Sequence, residues 1–423
     1  MPYPFVVIAG KLVRHAARLR GGGSALPGLF AEKVDPGFVS RTLQQLPHGV
    51  VVVTGTNGKT TTTKMVVELL ESQGLRVFTN RSGSNFVRGV AASLLGAVKL
   101  NGKLPADIAV LELDEAHGVH FVKRVAPRYC LVLNVMRDQL DRFGEIDKTA
   151  QLLRTIADAT TDSVILNRED DRVANIASTL DGRLVRYFGL APELRQQFPT
   201  DDELHGQRAE QTPNKLAADV ILESFEGDRA KFRIGEQTFE TTLELHGIYN
   251  IFNAAAALTL VRTILPDASP KPLLEKLSTI TPAFGRGEQF MYKGQPIEFV
   301  LVKNPSGFRL SLASFPASGN SVMIAINDRY ADGRDMSWLW DVDFEGLRNS
   351  GVNLVTGIRA YDMALRLQYD LVPVERIEPD RAKALKQFLA SHPDTPKRIF
   401  CSYTAMRELR REMAHYVKVG AIE

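Results

Sequence analysis

The chain has 423 residues, 44% hydrophobic and 24% charged, with a formal net charge of +3. That length predicts about two or three domains with apolar material enough for each core, and the near-balanced charge, without a dense Lys/Arg block or basic–aromatic interleaving, argues against a nucleic-acid-binding protein. Cys130 and Cys401 each lie in an apolar run, which predicts buried, inert thiols and excludes a disulfide framework or zinc cluster.

Residues 4–20 predict a short basic helix, with Lys11, Arg14, Arg18 and Arg20 beside Phe5, Ile8, Leu12 and Leu19. Such a helix suits an anionic membrane surface or the chain's own core; core packing is the preferred reading, with peripheral membrane contact at most. The apolar run Phe5 to Gly10 is too short to span a membrane and lacks a cleavage site, so a cytoplasmic location is expected.

Val50 to Val53 are β-branched and predict a buried strand, followed by Thr54-Gly55-Thr56-Asn57-Gly58-Lys59-Thr60-Thr61 and a helical pattern that stops at Gly74. A strand, a Gly-rich turn and a helix aim backbone N–H groups and the positive end of the helix dipole at one point, so the turn binds phosphate. Gly55, Thr56, Asn57, Gly58, Lys59, Thr60 and Thr61 are the predicted nucleotide contacts, with Lys59 reaching the β/γ-phosphates and Thr60 ligating Mg²⁺. Val53 stands where a strict P-loop has glycine, so the loop is a variant.

A second strand, Leu75 to Phe78, leads into the polar loop Thr79 to Phe86, at an edge where open α/β sheets bind ligands. Asp107 to Glu115 reads as an apolar strand ending in carboxylates; alternation puts Glu112 at its tip, suited to Mg²⁺, while Asp114 and Glu115 read as solvated loop acids. The strand Tyr129 to Val135 delivers Asn134 and then a dense Asp/Arg/Glu cluster to Glu145. Strands Ser163 to Leu166 and Leu184 to Phe188 close this series, a polar stretch follows, and Val220–Phe225 with Ala230–Ile234 form a hairpin around Glu226-Gly227-Asp228. An alanine-faced helix begins near His246, with Asn250 and Asn253 in its first turns, where asparagine can simply satisfy backbone. Pro282 to Glu288 reads as a linker. Further strands at Ile297–Val302, Ser321–Ile326, Asn353–Thr356 and Arg398–Cys401, and helices near 359–368, 380–391 and 404–416, predict a smaller Rossmann-like domain. Its run Asn327 to Phe344 gathers acidic residues, Arg329, Arg334 and both tryptophans, the composition of a binding surface.

The spelling Thr54 to Thr60 resembles the ATP loop of the Mur ligase superfamily. Those enzymes join amines to carboxylates activated as acyl phosphates. Asn134 followed by Asp138-Gln139-Leu140-Asp141 is similar to their Asn and Asp-His-Leu-Asp, and the wider spelling Arg-Asp-Gln-Leu-Asp-Arg-Phe-Gly-Glu, like the run from Asn327, resembles the MurT-type subunits that amidate lipid II. The resemblance implies an α/β fold: residues 1–46 a helix and linker, 47–284 a central ATPase domain with an insertion over 190–245, and 290–423 a carboxy-terminal Rossmann-like domain. It implies ATP and Mg²⁺ as cofactors, adenine contact from Asn250 or Asn253, and phosphate contact from Arg286 in Gly285-Arg286-Gly287-Glu288. Gln139 replaces the family histidine of the second magnesium site, and Arg154 lies near the place of its carbamylated lysine. Asn304-Pro305 matches the family's Asn-Pro, preceded by Lys303 rather than the usual aspartate and histidine. The insertion holds no cysteine, so no zinc is expected.

The implied activity is amidation of the D-glutamate α-carboxylate of the lipid II stem to D-isoglutamine, at the inner face of the membrane. Catalytic roles fall to Lys59, Glu112 and Asp335. Since neither cysteine has a neighbouring histidine, ammonia must come from a GatD-like glutamine amidotransferase, whose Cys-His pair Asp335, with Asp332 and Asp328 behind it, would complete. The alternatives are a ligase adding an amino acid, as in folylpolyglutamate synthesis, and a non-catalytic nucleotide-binding scaffold. The amino-acid-adding reading is disfavoured by the missing histidine and the short segment before the loop.

Overall fold

The computed structural model describes residues 4–19, 25–80, 87–137, 146–204, 216–245, 247–281 and 286–419. Strands β1 to β9 are Val50–Thr54, Val77–Thr79, Ile108–Glu112, Tyr129–Val132, Ser163–Asn167, Leu184–Leu190, Val220–Glu226, Arg229–Ile234 and Gln237–Thr242. They form one sheet in the order β2-β3-β1-β4-β5-β6-β7-β8-β9. It is parallel from β2 to β7 and antiparallel from β7 to β9.

The helices that position the site on this sheet are α1 (Pro4–Leu19), α2 (Ala25–Val34), α3 (Lys59–Ser72), α4 (Val87–Ala97) and α5 (Ile248–Ile264). Every residue of β1 is buried because helices cover both faces of a parallel sheet, and its alternation divides the core. Val51 and Val53 face Met65, Val66 and Leu69 of α3 and the alanines of α5. Val50 and Val52 face the opposite cluster with Val7 of α1 and Val90 and Leu94 of α4. At Gly28 a Cβ would lie 1.9 Å from the Arg88 carbonyl oxygen, so α2 crosses α4 closer than any other residue permits. The register pairs Val53 with Glu112 and Thr54 with Val132, which brings the carboxyl ends of β1, β3 and β4 side by side.

The second sheet contains β10 (Arg286–Tyr292), β11 (Gln295–Leu301), β12 (Ser321–Ala325), β13 (Leu354–Thr356) and β14 (Lys397–Cys401), in the order β10-β11-β14-β12-β13. Only β10 runs antiparallel to its neighbour. Helices α6 (Pro305–Ser314), α7 (Ala360–Tyr369), α8 (Arg381–Ala390) and α9 (Tyr403–Met413) complete this unit, the last three close to the ranges expected from sequence.

Two strands depart from the sequence reading. The expected linker becomes strand from Arg286 onward, with an irregularity between Arg286 and Glu288, because β10 pairs with β11 through the two-residue turn Lys293-Gly294. Both turn residues have positive φ, +49° and +82°, as a type I′ hairpin requires, and Lys-Gly is a weaker signal than Asn-Gly. The expected hairpin of β7 and β8 is extended by β9 through Gly235-Glu236, an outer strand too polar to stand out.

Candidate functional site

The site grows from the turn between β1 and α3. Gly55 and Gly58 adopt φ of +128° and +87°, conformations a side chain resists, which curls the backbone into a cradle. The cradle is clamped from β4's carboxyl end. Asn134 accepts at Oδ1 from the Asn57 N–H (2.8 Å) and donates to the Asn57 carbonyl (3.0 Å), while its own carbonyl accepts from the Thr56 N–H (3.0 Å). The Thr56 hydroxyl accepts from the Met136 N–H at 3.1 Å.

Thr60, in the first turn of α3, donates its hydroxyl to Glu112 Oε1 at 2.9 Å. Glu112 is 7% exposed at the tip of β3, where Asn80 grips its backbone twice: Asn80 Nδ2 donates to the Glu112 carbonyl (2.8 Å) and Oδ1 accepts from its N–H (3.0 Å). A hydroxyl and a carboxylate side by side beneath a phosphate cradle are the donor set expected for Mg²⁺, which takes few protein ligands and completes its shell with water and nucleotide phosphate. Among the described residues no cluster of three or more His, Cys, Asp or Glu could hold a metal by itself.

Lys59 is buried, and its Nζ donates to the carbonyls of Gly55 and Thr56, the latter at 3.1 Å, and lies 3.7 Å from Glu115 Oε2. Of the two expected solvated acids, Glu115 is instead buried and Asp114 half-buried, and Asp114 Oδ1 and Glu115 Oε2 are shielded from solvent without hydrogen-bond partners. The physical reason is that a helix, Glu115–Val122, begins at once and folds Glu115 back under Lys59. Burial pushes the Glu115 carboxyl up to about 8, opposed by Lys59 and reinforced by its hydrogen bond with Asp114. Burial opposes ionisation of Asp114 as well, but that hydrogen bond and the cations Lys59 and Lys303 hold it well below the usual carboxylate range.

From α5, Asn253 packs its amide against the cradle: a Cβ on Gly58 would lie 2.6 Å from Asn253 Nδ2. Asn250 lies one turn earlier, half-buried. The Thr61 hydroxyl, in the first turn of α3, is buried without a hydrogen-bond partner. Arg286 begins β10 with its backbone paired to Val300; its side chain, like residues 81–86, 138–145 (including Asp138, Gln139 and Asp141), 246 and 282–285, lies outside the described residues. Arg154 is exposed.

The second sheet unit reaches this site through the start of α6. Asn304 caps that helix by accepting from the Gly307 N–H (2.6 Å) and donates Nδ2 to Asn57 Oδ1 at 3.3 Å. Ser306 Oγ donates to the Arg137 carbonyl at 3.4 Å. Sequence reasoning placed Asn80 only within a ligand-binding loop and Asn304 only in the Asn-Pro match, and gave neither a contact of its own; both follow the carboxyl end of a strand, Asn80 at once and Asn304 three residues after Leu301, where such sheets place ligand contacts.

Asp335 belongs to a separate region, on the loop between β12 and β13. It is half-buried, its Oδ1 accepts from the Ser337 N–H (2.9 Å), and that bond lowers its pKa. Asp332 is buried and held by the Thr404 N–H (2.7 Å) and hydroxyl, and Asp328 is paired with Arg359 (2.8 Å), so Asp335 is the least engaged of the three. Trp338 is buried, whereas Trp340 is half-exposed and stacks edge-on with Tyr369 at 5.0 Å. Tyr361, Leu365 and Tyr369 form an exposed stripe along α7. Cys130 and Cys401 are both fully buried; burial raises the thiol of Cys130 to about 12 and that of Cys401 further.

Comparison with known proteins bears on both units. Residues 53–261 match the family described as Mur ligase middle domain, and residues 301–406 match MurT ligase C-terminal. The chain is 30% identical to the lipid II isoglutaminyl synthase (glutamine-hydrolyzing) subunit MurT of Streptococcus pneumoniae, over 96% of each chain. Identity to the subunit of the same name from Staphylococcus aureus is also 30%, over 88% of this chain and 90% of that one. Among solved structures, MurF ligase from Thermotoga maritima in complex with ADP superposes with a TM-score of 0.68 at 21% identity, covering 90% of this chain and 83% of that one. A pseudomurein peptide ligase type C from Methanothermus fervidus gives 0.66 at 16% identity, covering 86% and 78%.

Proposed function

The chain belongs to the Mur ligase family, in its MurT branch, and from that membership we propose that it is the ATP-dependent synthetase subunit that amidates the D-glutamate α-carboxylate of the lipid II stem peptide. The observation that carries the reading is the pairing of Thr60 with Glu112 beneath a glycine cradle, in a chain whose whole length resembles lipid II isoglutaminyl synthase subunits.

In this reading the cradle N–H groups and Lys59 hold the nucleotide's β- and γ-phosphates. Thr60 and Glu112 hold Mg²⁺, which supplies charge neutralisation to the phosphates when bound. Lys59 leaves the carbonyls of Gly55 and Thr56 and donates to the transferred phosphoryl group. An oxygen of the substrate carboxylate takes the γ-phosphoryl group, giving an acyl phosphate and ADP. Ammonia then attacks the acyl carbon, inorganic phosphate leaves with the C–O electron pair, and the new nitrogen loses a proton to give the primary amide. Asn253 bears on the nucleotide from the α5 side and Asn304 from the second unit.

The nitrogen source is a partner. Hydrolysis of glutamine needs an activated thiolate, and two buried thiols with raised pKa values do not supply one. A GatD-like glutaminase docked near Trp340 and the α7 stripe fits these exposed aromatic and apolar side chains. Asp335, largely free of internal partners, would then orient that subunit's catalytic histidine.

Hydroxylamine trapping tests the chemistry. With muropeptide and MgATP the chain should form a hydroxamate at the D-glutamate α-carboxyl; ATP turnover with no trapped hydroxamate would contradict the acyl phosphate.

A further inference from the structure

Helix α1 is apolar on two opposite sides. At about 100° per residue, Val6, Val7 and Gly10 fall on one side and Phe5, Ile8 and Leu12 on the other. The first side is spent on the protein's core: Val6 is 3% and Val7 0% exposed, and a Cβ on Gly10 would meet Leu95 of α4 at 2.7 Å. The second faces outward, with Phe5 72%, Ile8 46% and Leu12 66% exposed. A surface helix normally carries polar residues there. Before Glu32 the sequence contains Lys11, Arg14, Arg18 and Arg20 and no acidic residue, and at helical spacing Lys11 borders the exposed apolar side next to Ile8. Burial and the neighbouring Arg14 lower the pKa of Lys11, a crowding of cations that an anionic surface relieves. No helix among the described residues is long and apolar enough to cross a membrane.

We propose that the outer face of α1 docks in the plane of an anionic lipid surface, with Phe5, Ile8 and Leu12 entering the headgroup–acyl boundary and Lys11, at the border of that face, engaging lipid phosphate. The core-facing side keeps α1 fixed to the sheet that carries the phosphate cradle, so docking sets the orientation of the ATPase unit at the bilayer. This rests on the proposed lipid-linked substrate for its purpose, though not for its measurement.

The experiment is flotation of the purified full chain with vesicles of phosphatidylcholine containing phosphatidylglycerol, against phosphatidylcholine alone, without nucleotide or muropeptide. The wild type floats with the anionic vesicles, and less so as salt rises. Phe5→Ser with Leu12→Ser lowers the bound fraction about tenfold or more, and Lys11→Glu weakens anionic binding selectively, while melting temperature and nucleotide binding stay unchanged. Absence of wild-type flotation, or flotation unaffected by these substitutions, would overturn the proposal. So would a dimer that the double variant dissociates without any vesicle binding, since the face would then pair with a second copy. Because no turnover is measured, failure here leaves the amidation reading standing, and failure of amidation leaves this one.

Discussion

Substituting Gly58 probes the cradle at its tightest point. Its φ of +87° costs an alanine about 1–2 kcal/mol. The added Cβ would also lie 2.6 Å from Asn253 Nδ2 and 3.1 Å from its Cγ. Asn253 is 8% exposed on a helix packed nearly all round, so its amide cannot swing into water, and displacing it adds about 1–3 kcal/mol. Gly58→Ala should therefore cost about 2–5 kcal/mol in total. If the loop keeps its shape the loss appears in unfolding free energy; if it relaxes, the loss appears in nucleotide affinity at about 1.4 kcal/mol per tenfold. Denaturant unfolding and calorimetric titration with MgADP on the wild type, Gly58→Ala, Asn253→Ala and the double variant separate the contributions. The cycle should show a favourable coupling that recovers the amide part and leaves the backbone part. A single variant that loses less than about 0.5 kcal/mol in both assays, or zero coupling, would refute the reasoning.

Glu112→Gln keeps an acceptor for the Thr60 hydroxyl and removes the charge, so the fold should survive while ATP turnover falls about 10²–10³-fold and the Mg²⁺ concentration for half-maximal rate rises. Glu115, with its pKa raised from 4.5 to about 8, keeps its proton in the folded chain while the unfolded chain loses it. Stability should accordingly fall as pH rises from about 4.5 towards 8 and level off beyond; Glu115→Gln should flatten that slope, which urea melts at several pH values will show. Asp335→Asn should abolish glutamine-driven amidation in the complex with the glutaminase and leave ammonium-driven amidation unchanged; an intact glutaminase rate would remove Asp335 from the mechanism.

The cradle was legible in the sequence because it is local: four β-branched residues, two glycines and a lysine within ten positions encode strand, turn and helix together. Glu112 was legible from strand alternation. Asn134 and Asn304 stood out only through the family resemblance; that both reach Asn57 was not legible, because they come from afar. Asn134 is 77 positions from Asn57 and Asn304 is 247, and asparagine after a strand reads as an ordinary turn. Asp114 and Glu115 were misread for a related reason: two adjacent acids look solvated until a helix start folds one beneath a lysine. In the second sheet, the central strands followed from apolar runs, whereas β10 was hidden by a turn whose left-handed Lys293 no local signal announces.

The most direct test of the account is amidation of a D-glutamate-containing lipid II stem by the purified chain with MgATP and ammonium salt, read by mass spectrometry. The account predicts an α-amidated stem that forms with ammonium and disappears in Lys59→Ala. Failure to amidate with ammonium, together with ligation of a free amino acid to the same stem, would contradict it.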